Sequence, residues 1–255
     1  MQQDINHLLE LAISAATQAS QEILKVYHSG DFQAEAKGDN SPLTIADKNA
    51  HRVITRVLQS SNIPILSEEG KAIPYDVRKN WEYFWMVDPL DGTKEFIKRN
   101  DEFTVNIAII HNQKPILGVV AVPVSGDVYY SAQENGAFVK KNGQVSRLIP
   151  RPAVDLTKKG LRVVASRSHM NPETQTFIDG LKDATLVSAG SSLKFLLVAE
   201  GKADVYPRYA PTMEWDTAAA HAIVLETGLQ VLEYGSERPL LYNKENLLNP
   251  YFLVC

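Results

Sequence analysis

Two aspartates on either side of a Pro-Leu pair are the chain's clearest chemical signal. In the stretch WMVDPLDGTKEF, Asp88 and Asp91 follow an apolar run, and like charges this close repel unless a positive group lies between them. Mg²⁺ prefers oxygen ligands, which these carboxylates and the Leu90 carbonyl would provide. Gly92 lets the backbone approach a ligand closely, and the Gly92 and Thr93 amides at a helix start would face an anion. The stretch therefore predicts a cation site beside a phosphate site.

Further acids occur where predicted strands end or predicted helices begin. Glu68 and Glu69 follow the apolar run IPIL, whereas Asp47 and Asp216 each begin a predicted helix. Singly, each has an ordinary explanation: Asp47 as half of a capping box, Asp216 as an N-cap, and the glutamates as solvated loop charges. Together with DPLDGT they indicate acids that converge from distant parts of the chain on divalent cations.

The N-terminal half must position most of these acids. Apolar residues with helical spacing predict a helix over 5–27, with Asp4 as its N-cap, and Thr44 and Asp47 are placed as the capping box of a second helix. IPIL is a predicted short strand. The runs FTVNIAII, ILGVVAVPV, DVYYSA and GAFVKK are separated by turn compositions and predict an antiparallel meander.

The C-terminal half alternates between predicted strands and helices, which is typical of a layered sheet-and-helix lobe. The polar segment 149–160 contains two prolines and is the predicted linker. The chain is therefore divided into an N-terminal α+β lobe over 1–150, with the meander and most of the acids, and a C-terminal α/β lobe over 151–255.

Composition limits the classes of function. The 255 residues are 44% hydrophobic and 22% charged, as expected of a soluble globular protein, and the net charge of −4 gives no support for nucleic-acid or anionic-membrane binding through bulk charge. Cys255 is the single cysteine, which excludes an intrachain disulfide and favours a reducing compartment. No apolar run approaches the roughly 20 residues of a membrane-spanning helix. The N-terminus is expected to be that of a mature protein, without a signal peptide.

DPLDGT, with LSEE upstream and WDTAA downstream, resembles the inositol monophosphatase superfamily of metal-dependent, lithium-sensitive phosphatases. The blocks NSPLTIAD, VDPLDGTKEFIKRNDEFTVNIAII, ASRSHM, GSSLKFLLVAEGKADVYPR and WDTAAAHAI are similar to the bacterial 3′(2′),5′-bisphosphate nucleotidases within it, and they extend from residue 40 to beyond residue 220. The resemblance implies a two-lobed, layered α-β-α-β-α sandwich, in an α+β or α/β class.

The resemblance also assigns roles to individual residues. It implies magnesium ligands at Glu68, Asp88, the Leu90 carbonyl, Asp91 and Asp216. It implies that Asp47 and Thr93 orient and deprotonate the attacking water. It implies substrate contacts at Glu68, Gly92, Thr93, His169, Ser191, Lys194, Arg208 and Asp216, of which His169, Ser191, Lys194 and Arg208 would hold the nucleotide and its 5′-phosphate.

The activity implied by the resemblance is hydrolysis of the 3′-phosphate of 3′-phosphoadenosine 5′-phosphate to AMP during sulfate assimilation, with two or three Mg²⁺ ions and inhibition by Li⁺. The expected partner is this small nucleotide, with no nucleic acid and no integral membrane segment. The expected location is cytoplasmic, and the resemblance alone adds peripheral attachment to the cytoplasmic face of the inner membrane. The sequence does not determine the oligomeric state.

Two other functions are compatible with the same motifs. The first is an inositol or sugar monophosphatase on the same scaffold, against which the KEFIKRN segment favours the nucleotide. The second is an inactive metal- or nucleotide-binding module, which is disfavoured because every expected acid is present. A dinucleotide-binding fold is disfavoured because no G-x-G-x-x-G follows a predicted strand.

Overall fold

The computed structural model describes residues 4–36, 42–165 and 170–255. Within these ranges the helices are α1 Ile5–Ser29, α2 Ile45–Leu58, α3 Tyr75–Arg78, α4 Thr93–Lys98, α5 Pro172–Asp179, α6 Leu193–Ala199 and α7 Glu214–Leu225. The strands are β1 Glu35–Ala36, β2 Pro42–Leu43, β3 Ile65–Ser67, β4 Tyr83–Asp91, β5 Thr104–His111, β6 Lys114–Val122, β7 Asp127–Ala132, β8 Gly136–Lys141, β9 Gln144–Arg147, β10 Arg162–Ala165, β11 Thr185–Ser188, β12 Tyr206–Arg208, β13 Val231–Glu233 and β14 Phe252–Val254.

A seven-stranded sheet in the order β3-β4-β5-β6-β7-β8-β9 is the centre of the molecule. β3 is parallel to β4, and every later neighbour is antiparallel, so the predicted meander is confirmed. β9, the fully exposed strand at one edge, was not predicted, because QVSR has no apolar alternation.

Both faces of this sheet are covered by helices. Trp85 and Val87 of β4 belong to the apolar cluster with α1 and α2, whereas Phe84 and Met86 belong to the cluster with α6 and α7. This follows from the two-residue period of a strand, which turns successive side chains to opposite faces. A strand buried on both faces is apolar without alternation, which explains the apolar run that precedes Asp88.

Helix α7 lies directly against the backbone of β6. A Cβ atom added to Gly118 would lie 2.1 Å from the carbonyl oxygen of Ala219, so no side chain fits at this position without displacing the helix. The absence of a side chain at residue 118 therefore fixes how closely the start of α7, which contains Asp216, approaches the sheet.

β1 and β2 form a separate two-stranded antiparallel sheet, whereas β10 to β14 form small sheets beyond α6 and α7. β10 and β11 are parallel, and β12, β14 and β13 are antiparallel, in that order. A parallel bridge between Val163 and Val205 links the two groups, and α5 packs against β12. The order of layers is thus helix, sheet, helix, sheet, helix, as expected.

The terminal caps of the first two helices agree with the sequence. Asp4 accepts a hydrogen bond from the Asn6 amide, and Gly30 ends α1 in the left-handed conformation. The Thr44–Asp47 capping box is present. The division into two lobes at residue 150 stays a prediction; one apolar cluster contains residues from both sides of it, such as Phe84 and Phe252. No helix in the described ranges combines the length and hydropathy needed to cross a bilayer.

Candidate active site

A bulge in β4 separates the two aspartates of the DPLD turn. Asp88 pairs with Asn106 of β5 and Asp91 pairs with Thr104, so two intervening residues on β4 face a single one on β5. Proline has no N–H to give to the ladder and is accepted at such bulges. Asp88 then accepts a hydrogen bond from the Leu90 amide at 3.0 Å. This bulge is the structural reason for a proline between the two acids.

Four acids near this bulge interact with one another; they are named here the acid cluster, Glu68, Asp88, Asp91 and Asp216. The pKa of Asp88 is raised well above its usual value, first by burial and then by the negative charges of the other three acids. Burial, followed by the charge of Asp91, raises the pKa of Asp216 to about 8. Burial also raises the pKa of Asp91, although Lys194 opposes this shift. The cluster is therefore short of positive charge.

The chemistry of these donors fits a hard divalent cation, because all are oxygens from carboxylates with the Leu90 carbonyl beside them. As the side chains stand, no three acids, histidines or cysteines of the described residues lie close enough together to enclose an ion.

Asp47 and Thr93 come together from two different helices. Thr93 Oγ lies 3.3 Å from Asp47 Oδ1 and 3.2 Å from the Leu90 carbonyl oxygen. The other carboxylate oxygen of Asp47 accepts hydrogen bonds from the Thr44 amide at 2.7 Å and the Thr44 hydroxyl at 2.6 Å. Both sequence interpretations of Asp47 thus have a geometric basis, since one oxygen caps α2 and the other contacts Thr93.

A cavity of about 170 Å³ opens beside the acid cluster and is named here the candidate cavity. It contains acids and cations from several elements. Its lining residues are Asp91, Gly92, Lys94, Glu95, Gly190, Ser191, Ser192, Lys194, Phe195, Tyr206, Arg208, Thr212, Asp216 and Thr217.

The cations of this cavity come mainly from the C-terminal half. Lys194 is 7% exposed and donates to the Ser191 carbonyl at 2.6 Å, and burial lowers its pKa to about 8. Arg208 donates to the Pro211 carbonyl at 3.1 Å, but its Nε is buried without a hydrogen-bond partner among the described residues. A buried N–H without a partner is costly. Arg208 as a whole lines the candidate cavity, which places its guanidinium group beside any ligand there.

Six of the residues selected from the sequence line this one cavity: Asp91, Gly92, Ser191, Lys194, Arg208 and Asp216. Asp47 and Thr93 are joined by a hydrogen bond, and Glu68 and Asp88 belong to the acid cluster. His169 lies outside the described residues. The roles that the resemblance gives to all these residues stay predictions.

Sequence reasoning missed several lining residues, including Lys94, Ser192 and Tyr206, and it missed Asn106 behind Asp91. Lys94 directly follows the DGT motif, so its position was a usable signal. Asn106 lies inside an apolar strand pattern, where a buried polar residue needs hydrogen-bond partners; that was the signal for it.

Comparison with known proteins identifies the family of the chain. The profile described as "Inositol monophosphatase family" matches residues 4–251, and the chain belongs to this family of phosphatases.

Within that family, the chain is 45% identical over 251 residues to the 3′(2′),5′-bisphosphate nucleotidase CysQ of Escherichia coli (strain K12), with 97% of this chain and 99% of the relative covered. It superposes on the crystal structure of CysQ from Bacteroides thetaiotaomicron with a TM-score of 0.87 at 46% identity, covering 97% and 96% of the two chains. An IMPase of Thermotoga maritima, 22% identical with a TM-score of 0.78 over 97% and 91% of the chains, supports the fold alone.

Proposed function

We propose that this chain is a Mg²⁺-dependent 3′(2′),5′-bisphosphate nucleotidase that hydrolyses the 3′-phosphate of 3′-phosphoadenosine 5′-phosphate to AMP and phosphate. The observation that carries the proposal is the mixed charge of the candidate cavity. Asp91 and Asp216 lie in the same lining as Lys194 and Arg208. A substrate with two phosphates needs two phosphate-binding sites, and only one of them has to catalyse hydrolysis. The similarity to CysQ proteins supports the same assignment.

Glu68, Asp88, the Leu90 carbonyl, Asp91 and Asp216 would hold two or three Mg²⁺ ions. Bound Mg²⁺ supplies charge neutralisation for the phosphoryl oxygens and a lowered pKa for a coordinated water. Without a cation these acids would repel a phosphate, so the proposal requires that activity depends completely on added metal. Li⁺ is expected to inhibit, as the family resemblance implies.

Thr93 and Asp47 would remove the proton from the attacking water. A threonine hydroxyl has one hydrogen and two lone pairs, so while it donates to Asp47 Oδ1 it accepts a hydrogen bond from water. As the water oxygen bonds to phosphorus, the P–O3′ bond breaks, the water proton passes to Thr93 Oγ and the threonine proton passes to Asp47. The leaving 3′-oxygen takes a proton from solvent and becomes the 3′-hydroxyl of AMP. The capping bonds from Thr44 hold the carboxylate in place for this transfer.

Gly92 and Thr93 would place backbone amides beside the cleaved phosphate. Gly92 has φ of 90°, and a Cβ atom there would lie 3.0 Å from the Glu102 carbonyl oxygen and 3.3 Å from Ser191 Cβ. Glycine is therefore needed for both conformation and space. Because α4 has only six residues, the dipole of this helix contributes little, and hydrogen bonds from the amides matter more.

The phosphate that is not cleaved would lie against Lys194, Arg208 and Ser191. Arg208 offers its guanidinium group from the cavity lining, and Lys194 offers an ammonium group that is already desolvated. Charge-assisted hydrogen bonds of this kind are stronger than neutral ones. These residues are expected to select a bisphosphate over a sugar monophosphate.

The test is a phosphate-release assay on the purified chain, with and without Mg²⁺ and with added Li⁺. 3′-Phosphoadenosine 5′-phosphate should be the preferred substrate, 3′-AMP should be cleaved with a higher KM, and 5′-AMP should resist cleavage. myo-Inositol 1-phosphate is the comparison for the other phosphatase function. Higher kcat/KM on inositol 1-phosphate would replace the nucleotide proposal, and activity in excess EDTA would contradict the metal requirement.

A further inference from the structure

A hydrogen-bonded chain of three buried side chains lies behind Asp91; it is named here the Asn106 bridge, Thr104, Asn106 and Ser192. Their exposed fractions are 0%, 1% and 2%. Ser192 Oγ donates to Asn106 Oδ1 at 2.8 Å and lies 2.7 Å from Thr104 Oγ. A buried polar group that loses its partner has no water molecule to bond with instead, so the loss is costly and the hydrogen bonds are kept.

Counting protons determines who donates to Asp91. The Ser192 hydroxyl uses its one hydrogen on Asn106, so the short contact with Thr104 uses the threonine hydrogen. Thr104 Oγ also lies 3.5 Å from Asp91 Oδ2, but its hydrogen is used on Ser192. Two donors then remain for Asp91 Oδ2: the Ser192 amide at 2.7 Å and the side-chain amide of Asn106 at 3.4 Å. The opposite orientation of the Asn106 amide would set its oxygen against a carboxylate, so the bridge fixes this orientation.

The two carboxylate oxygens of Asp91 therefore have different partners. Oδ2 accepts from Ser192 and Asn106, whereas no hydrogen bond to Oδ1 comes from the described residues. A carboxylate held at one oxygen keeps a defined direction for the other. Supporting hydrogen bonds of this kind orient metal ligands in proteins and tune their affinity.

The bridge also connects the acid side of the candidate cavity to its cationic side. Ser192 directly precedes α6, which contains Lys194, and the Ser191 carbonyl accepts from Lys194 Nζ. The segment is packed tightly, because a Cβ atom on Gly190 would lie 2.9 Å from Glu102 Cβ. A shift of Asn106 would therefore act on Asp91 and on the loop before Lys194 together.

We propose that Asn106 is a positioning residue, which holds Asp91 with Oδ1 directed to the metal and couples this ligand to the loop that contains Ser191 and Ser192. The proposal rests on the proposed function for the identity of the metal and the substrate. Asn106 touches neither; it acts through Asp91 and Ser192.

The test is Mg²⁺ binding by isothermal titration calorimetry without substrate, on Asn106→Leu and Ser192→Ala. Asn106→Leu keeps the branching and the number of side-chain heavy atoms and removes the hydrogen bonds of the amide, and we expect its Kd for Mg²⁺ to rise by about 10- to 100-fold. Ser192→Ala keeps the backbone donor to Asp91, so we expect a rise of about 3- to 10-fold. Ser131→Ala is the matched control, since Ser131 is a buried serine of β7 whose hydroxyl has no partner among the described residues, and its Kd should be unchanged.

Steady-state kinetics separate positioning from simple support of the fold. Each bridge variant should show a lower kcat together with a higher KM for the nucleotide, and the effect of Ser192→Ala should largely disappear in the Asn106→Leu background. A lower melting temperature with an unchanged Kd for Mg²⁺ would overturn the proposal. If Asn106→Leu does not fold, Ser192→Ala decides alone, and an unchanged Kd in that variant overturns it.

The two proposals fail in different ways. A wild-type chain that binds no Mg²⁺ overturns the proposed function and the role of Asn106 with it. A wild-type chain that binds Mg²⁺ and cleaves the nucleotide, with bridge variants that behave like Ser131→Ala, overturns the role of Asn106 alone.

Discussion

Asp204 and Asp216 are both largely withdrawn from solvent, but the chain neutralises only one of them. Asp204 accepts hydrogen bonds from Arg151 Nη2 at 2.9 Å and from the backbone N, Nε and Nη2 of Arg162 at 2.9, 2.9 and 2.6 Å. These donors hold its pKa well below the usual range. Asp216 accepts from the Met213 amide, and burial beside other acids raises its pKa to about 8.

Glu214, two residues before Asp216 on the same helix, shows the contrast more clearly. It is fully buried, yet it accepts hydrogen bonds from the Asn243 amide at 2.5 Å, the Lys244 amide at 3.0 Å and Lys244 Nζ at 2.5 Å. Burial of an acid is therefore not what marks a site in this fold. What distinguishes the acids of the candidate site from structural acids is that their compensating positive charge must come from outside the chain.

Asp88→Asn should have the largest effect on activity, a loss of about 10⁴-fold or more, since a bound metal contributes several kcal/mol to transition-state stabilisation. In EDTA the variant should be at least as stable as the wild type, because a repelled buried charge is removed. Added Mg²⁺ should raise the melting temperature of the wild type only, by the linkage of binding to folding. Calorimetry with and without Mg²⁺ measures this. If the variant is strongly destabilised in EDTA, Asp88 is a structural acid like Asp204 and not a metal ligand.

Asp47→Asn should lower kcat by about 10²- to 10⁴-fold, the range typical of a lost general base. Its Kd for Mg²⁺ should stay near the wild-type value, because Asp47 is outside the acid cluster. Kinetics combined with titration calorimetry check this. Equal losses in turnover and in metal affinity would remove Asp47 from the role of base and assign it to the metal.

Lys194→Met should raise KM for 3′-phosphoadenosine 5′-phosphate by about 10- to 100-fold through the loss of a charge-assisted hydrogen bond. KM for myo-inositol 1-phosphate should change little, because that substrate has no second phosphate. Lys98→Met is the matched control, an exposed lysine of α4 outside the candidate cavity. Equal changes for both substrates would contradict the assignment of Lys194 to the phosphate that is not cleaved.

Asp204→Asn should leave kcat/KM per folded molecule unchanged and lower stability by about 2 kcal/mol, as for lost hydrogen bonds to charged groups. Because the folded pKa of Asp204 is depressed, its stabilisation is present above the unfolded pKa of about 3.9 and is lost as pH falls below it. The stability difference from wild type should therefore shrink in acid. Denaturant melts at pH 7 and pH 3 test this, with the exposed Asp179→Asn as control.

The fold was largely readable from the sequence where one local pattern decided the structure. The helix over 5–27, the Thr44–Asp47 capping box and the meander all follow from periodicity and from turn residues. β14 was missed because FLV is too short to carry a pattern, and its pairing with β12 and β13 is set by contacts distant in sequence.

The site was readable in its acids and cations but not in their supports. Asp88, Asp91 and Asp216 stand out because charges are unusual beside apolar runs. Asn106 and Thr104 do not stand out, since their importance depends on which residues the sheet brings behind Asp91. Charge type is a local property of the sequence, whereas the donor that orients a carboxylate depends on tertiary packing.

Gly118 influences the active site from a distance, because its lack of a side chain sets the position of α7. Alanine at that position would push α7 outward, and Asp216 would move with it while every acid kept its identity. The distance between Asp216 and the other three acids of the cluster thus depends partly on a strand residue that is not itself an expected ligand. A homologue with a larger residue at this position would need α7 to pack differently against β6 before it could catalyse the same reaction.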